Sequence, residues 1–155
     1  MSLNLYHLAS LVAPRPDRLL GRAAGDLASA GVPVFPCVPG QKRPLTARGF
    51  HDATTDLAQI THWWTRWPDA NLGLPTGAVS GVVVVDVDVR EHVDGRESMR
   101  RALNAGRMGM PVFTVVSPSG GRHGYYPATP DVVQRSWQVA RAGVDFRGDG
   151  GYIVI

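Results

Sequence analysis

The sequence predicts an α+β fold, a single domain in which helices flank one central, mixed or antiparallel sheet. Helix-period apolar patterns come first in the chain, strand and helix patterns alternate through the middle, and hairpin patterns follow. The 155 residues include 18 glycines and 12 prolines, so turns and loops occupy too much of the chain for a helical bundle. This length is sufficient for one domain with its own core.

Three segments carry the apolar spacing of three and four residues that is typical of helices. They are residues 17–30, 56–67 and 97–105. Gly31 is predicted to end the first helix, and Pro68 is predicted to end the second. Thr54 or Thr55 is predicted to cap the second helix at its first turn.

The other apolar segments are predicted to be strands. Two prolines place residues 32–38 near a sheet edge, whereas four consecutive valines within residues 81–89 indicate a central strand covered on both faces. Residues 71–77 are predicted to form a brief extended segment with a bend. Two hairpins are predicted around glycine-rich turns, 112–116 with 124–126 and 144–147 with 152–155.

The composition is that of a soluble globular protein. At 44% hydrophobic and 19% charged residues, the chain is too apolar for a disordered protein. No apolar run reaches the ~18–20 residues that cross a bilayer, and residues 1–14 lack the charged leader and cleavage site of a signal peptide. The single cysteine, Cys37, excludes an internal disulfide and a thiolate zinc site, and it indicates a cytoplasmic location. The net charge of +3 mildly favours polyanionic partners.

Two aspartates, Asp86 and Asp88, end the valine-rich strand. Because side chains alternate along a strand, both carboxylates are expected on one face, about 7 Å apart. Two like charges there require a compensating cation, or else one carboxylate becomes protonated. Mg²⁺ suits this position, because it binds carboxylate oxygens and accepts phosphate oxygens from a substrate. The alternative is a solvated pair at the start of a loop, with Arg90 as its ionic partner.

A third carboxylate, Asp145, lies in the strand predicted at residues 144–147. Val144 and Phe146 are expected to be buried on one face, which leaves Asp145 and Arg147 on the other, polar face. If this strand neighbours the strand of Asp86, three carboxylates converge, as a centre with two metal ions requires. Arg147 would then compensate charge or bind phosphate. The alternative is a surface aspartate paired with Arg147.

The predicted turn after residue 116 has the composition of an anion site. Gly120 and Gly121 in a tight turn present backbone N–H groups that can surround an anion. Ser119 adds a hydroxyl, Arg122 a guanidinium and His123 a ring N–H donor, so the segment is a candidate triphosphate site. The alternative is an ordinary hairpin turn with a surface histidine.

Taken in order, these segments resemble the N-terminal domain of bifunctional DNA primase/polymerases, the prim-pol branch of the archaeo-eukaryotic primase superfamily. Two flanking features agree with it: the basic loop with Lys42 and Pro44, and the run from Trp64 to Gly77. The resemblance extends over residues 19–155. Its three principal motifs are Asp86-Val87-Asp88 after a hydrophobic strand, Ser119-Gly120-Gly121-Arg122-His123 in a hairpin, and Val144-Asp145 before Arg147-Gly148-Asp149-Gly150-Gly151-Tyr152.

The resemblance implies a catalytic domain over residues 1–155, with an RRM-like palm, an N-terminal extension at 1–16 and a core at 17–155. The C-terminal part of the family domain would lie beyond Ile155. Asp86, Asp88 and Asp145 would hold two divalent ions, Mg²⁺ or Mn²⁺, and His123 would contact the nucleotide phosphates. The implied nucleotide-binding residues are Ser119, Gly120, Gly121, Arg122, His123 and Arg147.

The reaction that the resemblance implies is attack of a 3′-hydroxyl on the α-phosphorus of a nucleoside triphosphate, directed by a DNA template. This reaction would serve replication of a phage, plasmid or integrated element. The partners would be nucleoside triphosphates, DNA and a helicase, without a membrane. Two alternatives stay open: a truncated, catalytically idle module that binds nucleotide or DNA, and a nuclease with two metal ions.

Overall fold

The computed structural model, which describes residues 4–13, 19–117 and 120–155, has the predicted α+β fold. Short 3-10 helices lie at Gly49–Asp52 and Ala140–Ala142. The α-helices are α1 (Leu5–Val12), α2 (Leu20–Ser29), α3 (Leu57–Arg66) and α4 (Gly95–Asn104). The strands are β1 (Phe35–Cys37), β2 (Asn71–Pro75), β3 (Val82–Val87), β4 (Val89–Arg90), β5 (Val93–Asp94), β6 (Phe113–Val116), β7 (Arg122–Pro127), β8 (Trp137–Val139), β9 (Val144–Arg147) and β10 (Tyr152–Val154).

Three of the helices confirm the sequence prediction, and α1 was not predicted. Residues 17 and 18, where the first predicted helix begins, lie outside the described residues. Gly31 follows α2 with φ +83°, the left-handed conformation that ends helices. The predicted threonine cap of α3 is wrong, because the carboxylate of Asp56 accepts the N–H groups of Ala58 and Gln59. Within the described residues, none of the helices combines the length and the apolar character needed to span a bilayer.

The strands form two main antiparallel sheets where the sequence predicted one. The larger sheet has the order β6-β7-β3-β9-β8, and the smaller has the order β1-β2-β10. β4 and β5 form a separate two-stranded ribbon. The predicted central strand is confirmed, since β3 lies in the middle of the larger sheet with all six residues buried. The predicted edge position of β1 is also confirmed.

The hairpin predicted over residues 144–155 is wrong, because β9 and β10 belong to different sheets. Asp149 explains the divergence of the two strands. Its carboxylate accepts the N–H of Ala78 at 2.8 Å and the N–H of Gln134 at 2.6 Å. The glycine-rich segment is therefore bonded to two other loops and leads the chain from the larger sheet to the smaller one.

The core lies between the two sheets and the first three helices. One face of the larger sheet supplies Val82, Val84 and Tyr125 to this core. The opposite face of the same sheet carries α4, which packs on β3 and β9. The fully buried core side chains include Leu8, Leu27, Val32, Val34, Phe35, Leu74, Val82, Val84 and Tyr125.

Candidate active site

Three of the predicted site residues lie side by side on one face of the larger sheet. His123 on β7 is the cross-strand partner of Asp86 on β3, and Asp86 is the partner of Asp145 on β9. Asp145 in turn is the partner of Gln138 on β8. Because cross-strand partners share a face, the four side chains form one row across the sheet. The strand of Asp145 thus neighbours the strand of Asp86, which the sequence analysis gave as the condition for the carboxylates to converge.

This row continues the face that forms the core, so its carboxylates are buried. Asp86 is 7% exposed and Asp145 is 8% exposed. Val144 and Phe146 lie on the opposite face and are only half-buried. The expectation that β9 buries these apolar side chains and exposes its aspartate is therefore wrong, although the grouping of residues by face is right. The reason is that the core lies on the aspartate face, whereas α4 covers only part of the other.

Each buried carboxylate has a cationic or protonatable partner on the same face. His123 Nε2 lies 3.3 Å from Asp86 Oδ1. Arg147 donates to Asp145 Oδ2 at 2.8 Å, and the amide of Gln138 donates to the same oxygen at 3.0 Å. Asp145 thus has the ion pair with Arg147 that the alternative interpretation expected, but in a buried position. These partners compensate charges that would be unfavourable in isolation.

The surroundings of Asp86 favour its ionised form. Burial alone would raise the pKa of Asp86, but a hydrogen bond from His123 and the positive charges of His123, Lys42 and Arg147 outweigh burial and hold this pKa below its usual value. Asp86 is therefore a carboxylate at neutral pH, the form that binds metal ions.

Asp88 is not part of the row of polar side chains and has a partner of its own. It follows the last residue of β3, and its carboxylate accepts a hydrogen bond from Arg90. This is the partner named in the alternative interpretation of the two aspartates. The backbone of Asp88 is nevertheless fixed beside β9, because its N–H donates to the carbonyl oxygen of Gly143 at 2.8 Å. A change of side-chain rotamer would therefore suffice to turn this carboxylate away from Arg90.

Of the described residues predicted to form the anion site, His123 on β7 lies in the row of polar side chains. Ser119 lies outside the described residues. The N–H of Gly120 donates to the carbonyl oxygen of Ser117 at 2.9 Å, so it is not free to bind an anion in this conformation. A Cβ atom at Gly121 would lie 2.7 Å from the carbonyl oxygen of Val87, so this glycine permits close approach to β3.

Arg122 and His123 face opposite sides of the sheet. Arg122 is the cross-strand partner of Val87, the residue after Asp86. Because side chains alternate along a strand, Arg122 lies on the face opposite to that of Asp86 and His123. Its side chain lines a cavity of about 360 Å³ beneath α4, together with Arg96 and Arg100. The structure therefore does not bring Arg122 to the carboxylates, although the sequence prediction grouped it with His123.

A small pocket opens beside the row of polar side chains. Its volume is about 200 Å³, and it is lined by Lys42, Asp86, His123 and Arg147. Three of these four side chains carry or can acquire a positive charge, so the pocket is suited to an anion. The other lining residues are Ser136, Gly150, Gly151, Tyr152, Ile153 and Val154.

Sequence reasoning assigned no role to several residues at this site. Lys42 is different, because the basic loop that it shares with Arg43 allowed two interpretations from sequence: contact with phosphates, or an ordinary solvated loop. Ser136 and Gln138 carried no signal, because their place depends on strand pairings that their neighbours in sequence do not specify. Tyr152 ends the third motif of the resemblance, but it was given no role.

The donor set fits a hard divalent cation in part. The carboxylates of Asp86 and Asp145 are of the ligand type that Mg²⁺ and Mn²⁺ prefer, and they belong to facing residues. Asp88 is engaged by Arg90. Across residues 4–13, 19–117 and 120–155, no group of three or more His, Cys, Asp or Glu side chains is arranged to hold a metal ion. Two of the three predicted ligands, Asp86 and Asp145, are thus cross-strand partners, whereas the third, Asp88, is paired with Arg90.

Comparison with known proteins places the chain in a family. Residues 24–155 match the family model for the N-terminal domain of bifunctional DNA primase/polymerases. The chain belongs to this family. No curated protein matches the chain. The prim-pol match includes Lys42, Asp86, His123 and Asp145, and membership implies a nucleotidyltransferase domain that binds nucleotides and DNA. Prim-pol domains are generally metal-dependent.

The depressed pKa of Asp86 predicts a pH dependence of stability in this prim-pol domain. A carboxyl whose pKa is lower in the folded state stabilises the fold above its unfolded pKa of about 3.9, and this contribution is lost as the pH falls through the folded pKa. We expect the free energy of unfolding to fall less steeply with acidification in Asp86→Asn than in the wild type. Denaturant titrations between about pH 6 and about pH 2 measure this difference.

The acidic groups Asp52, Asp94 and Glu97 also have lowered pKa values, through their hydrogen bonds with arginines. All three are present in both proteins, so the difference between the two slopes isolates Asp86. Parallel slopes would show that His123, Lys42 and Arg147 do not stabilise the Asp86 carboxylate.

Proposed function

We propose that this chain is a metal-dependent nucleotidyltransferase that adds nucleotides to a 3′-hydroxyl on a DNA template. One observation carries the proposal. Asp86 and Asp145 face each other across β3 and β9, beside a pocket lined by His123, Arg147 and Lys42. Facing carboxylates next to a cationic pocket match the two needs of phosphoryl transfer, which are a site for metal ions and a site for phosphates.

The proposed metal ligands are Asp86 and Asp145, with Asp88 joining them when its carboxylate leaves Arg90. A divalent cation bound there, Mg²⁺ or Mn²⁺, would neutralise the charge that develops on the transferred phosphoryl group. The chain's own groups bind and orient the nucleotide. His123 donates toward phosphate oxygens, while Arg147 supplies a guanidinium that can bind phosphate.

The size of the pocket indicates which part of the nucleotide it holds. Pockets that enclose a whole drug-sized ligand have volumes of about 300–1,000 Å³, whereas this pocket has about 200 Å³. It is therefore suited to the phosphate groups, with the sugar and base outside it, where a template base can pair with the incoming base. Replication of a phage, plasmid or integrated element, with a helicase that unwinds the duplex, is the setting we propose.

A second candidate is a catalytically idle module that binds nucleotide or DNA. The ion pair between Asp88 and Arg90 favours it, because this pair withholds one of the three predicted metal ligands. In this case the pocket binds triphosphate, but the carboxylates do not assemble around metal ions.

An incorporation assay distinguishes these functions. The protein is incubated with a primed DNA template and labelled deoxynucleoside or ribonucleoside triphosphates, with Mg²⁺, Mn²⁺ or excess EDTA. We expect primer extension that needs a divalent cation and stops with EDTA. Triphosphate binding without extension would overturn the proposal in favour of the idle module. Loss of labelled DNA in the absence of triphosphates would overturn it in favour of a nuclease.

A further inference from the structure

Lys42 lies on a loop that the rest of the protein holds in place. The N–H of Val38 donates to the carbonyl oxygen of Arg43 at 2.8 Å, and the side-chain amide of Asn71 donates to the carbonyl oxygen of Gln41 at 3.1 Å. The hydroxyl of Tyr152 donates to the carbonyl oxygen of Lys42 itself at 3.0 Å. The loop is therefore fixed on both sides of Lys42.

Tyr152 is itself held rigidly. Its ring packs edge-on against Phe35, with centroids 5.3 Å apart, and lies 5.4 Å from the ring of Phe50. Tyr152 also lines the pocket, together with Lys42 and Asp86. A ring fixed by two aromatic neighbours thus holds the backbone of Lys42 at the pocket wall.

Lys42 has a charge that is free for a ligand. His123 is paired with Asp86, and Arg147 is paired with Asp145. Among the residues that the structure describes, Lys42 has no ion-pair partner, although it lines the same pocket and its charge acts on Asp86. A cation at a pocket wall that makes no direct ion pair with a described carboxylate can bind an anionic ligand.

We infer that Lys42 binds the phosphates of the nucleoside triphosphate and that Tyr152 positions it for this role. The inference rests on the proposed function for the identity of the ligand. It adds a phosphate-binding residue on the loop after β1 to the groups on β7 and β9, so phosphate is held from both sheets.

The sequence offers a direct test, because Lys42 is the only lysine of the chain. An amine-acetylating reagent can modify Lys42 and the α-amino group, and mass spectrometry measures the two rates separately. With ATP and Mg²⁺ at ten times the dissociation constant, we expect acetylation of Lys42 to slow about tenfold and that of the α-amino group to stay unchanged. Unchanged acetylation of Lys42 at a concentration that saturates binding would overturn the inference.

Variants give a second readout. Lys42→Ala is expected to raise the dissociation constant of ATP about tenfold, and Lys42→Arg is expected to recover part of the loss. The matched control is Arg43→Ala, which removes a neighbouring exposed cation that does not line the pocket. It is expected to change binding by less than about twofold. Equal losses in both alanine variants would mean that general charge, and not Lys42, binds the triphosphate.

Tyr152→Phe keeps the ring and removes the hydroxyl that holds Lys42. We expect KM for the triphosphate to rise about threefold with kcat unchanged, and the double variant with Lys42→Ala to match Lys42→Ala alone. An additive loss in the double variant would show that Tyr152 does not act through Lys42. Primer extension without protection of Lys42 overturns this inference alone, whereas protection without extension overturns the proposed function alone.

Discussion

Replacing Asp145 by asparagine is expected to reduce nucleotide incorporation about a thousandfold while the fold is retained. Asparagine has nearly the same shape and keeps one oxygen to accept hydrogen bonds from Gln138 and Arg147. It removes the charge that faces Asp86. Stabilisation by a metal ion in phosphoryl transfer is worth several kcal/mol, which corresponds to a loss of about this size. Steady-state primer extension with Mg²⁺ measures the change.

The control for this variant is Asp131→Asn. Asp131 is an exposed turn residue with φ +59°, a conformation that asparagine also adopts readily. We expect it to retain the incorporation rate of the wild type. If Asp145→Asn kept a tenth or more of the wild-type rate, with an unchanged circular dichroism spectrum, Asp145 would not be a catalytic residue.

Replacing Gly95 by alanine is expected to lower the free energy of unfolding by about 3 kcal/mol. Gly95 is the first residue of α4 and packs against the segments that contain Asp88 and Gly143. Its N–H donates to the carbonyl oxygen of Asp88 at 2.9 Å. A Cβ atom there would lie 2.1 Å from the carbonyl oxygen of Gly143 and 2.8 Å from that of Asp88. Both contacts are with backbone, so the strain cannot be relieved by a side-chain rotation. Denaturant titration measures the loss.

Gly109→Ala is the matched control, because no atom lies within 4 Å of a Cβ atom placed at this exposed glycine. We expect it to change stability by less than about 0.5 kcal/mol. Gly95→Ala should also reduce incorporation, since the overlap is with the backbone of Asp88 and of Gly143, which precedes β9. Equal stability of the two variants would contradict the close packing at the start of α4.

Several local features of this chain could be predicted from its sequence. The valine run of β3 indicated a buried central strand, and its two aspartates indicated charge at the end of that strand. Because side chains alternate between the two faces of a strand, the sequence of β9 predicted that Asp145 and Arg147 share one face. The same rule separates Arg122 from His123, so strict alternation could have predicted that these two residues face opposite sides of the sheet.

The features that depend on distant pairings could not be predicted. The segment from Gly148 to Gly151 resembles a hairpin turn, and nothing nearby in the sequence shows that Asp149 binds the backbone of Ala78 and Gln134. Lys42 meets Tyr152 across 110 positions of the chain. The burial of Asp145 follows from the position of the core, which α1 and the smaller sheet help to form.

A crystal structure with Mn²⁺ and a non-hydrolysable nucleoside triphosphate tests the central claim most directly. The claim is that the facing carboxylates and the adjoining cationic pocket together bind metal ions and phosphate. We predict anomalous scattering from Mn²⁺ within about 2.5 Å of carboxylate oxygens of both Asp86 and Asp145, with phosphate oxygens in contact with His123 and Arg147. Triphosphate and Mn²⁺ bound at another surface, with Asp86 and Asp145 still paired only to His123 and Arg147, would contradict it.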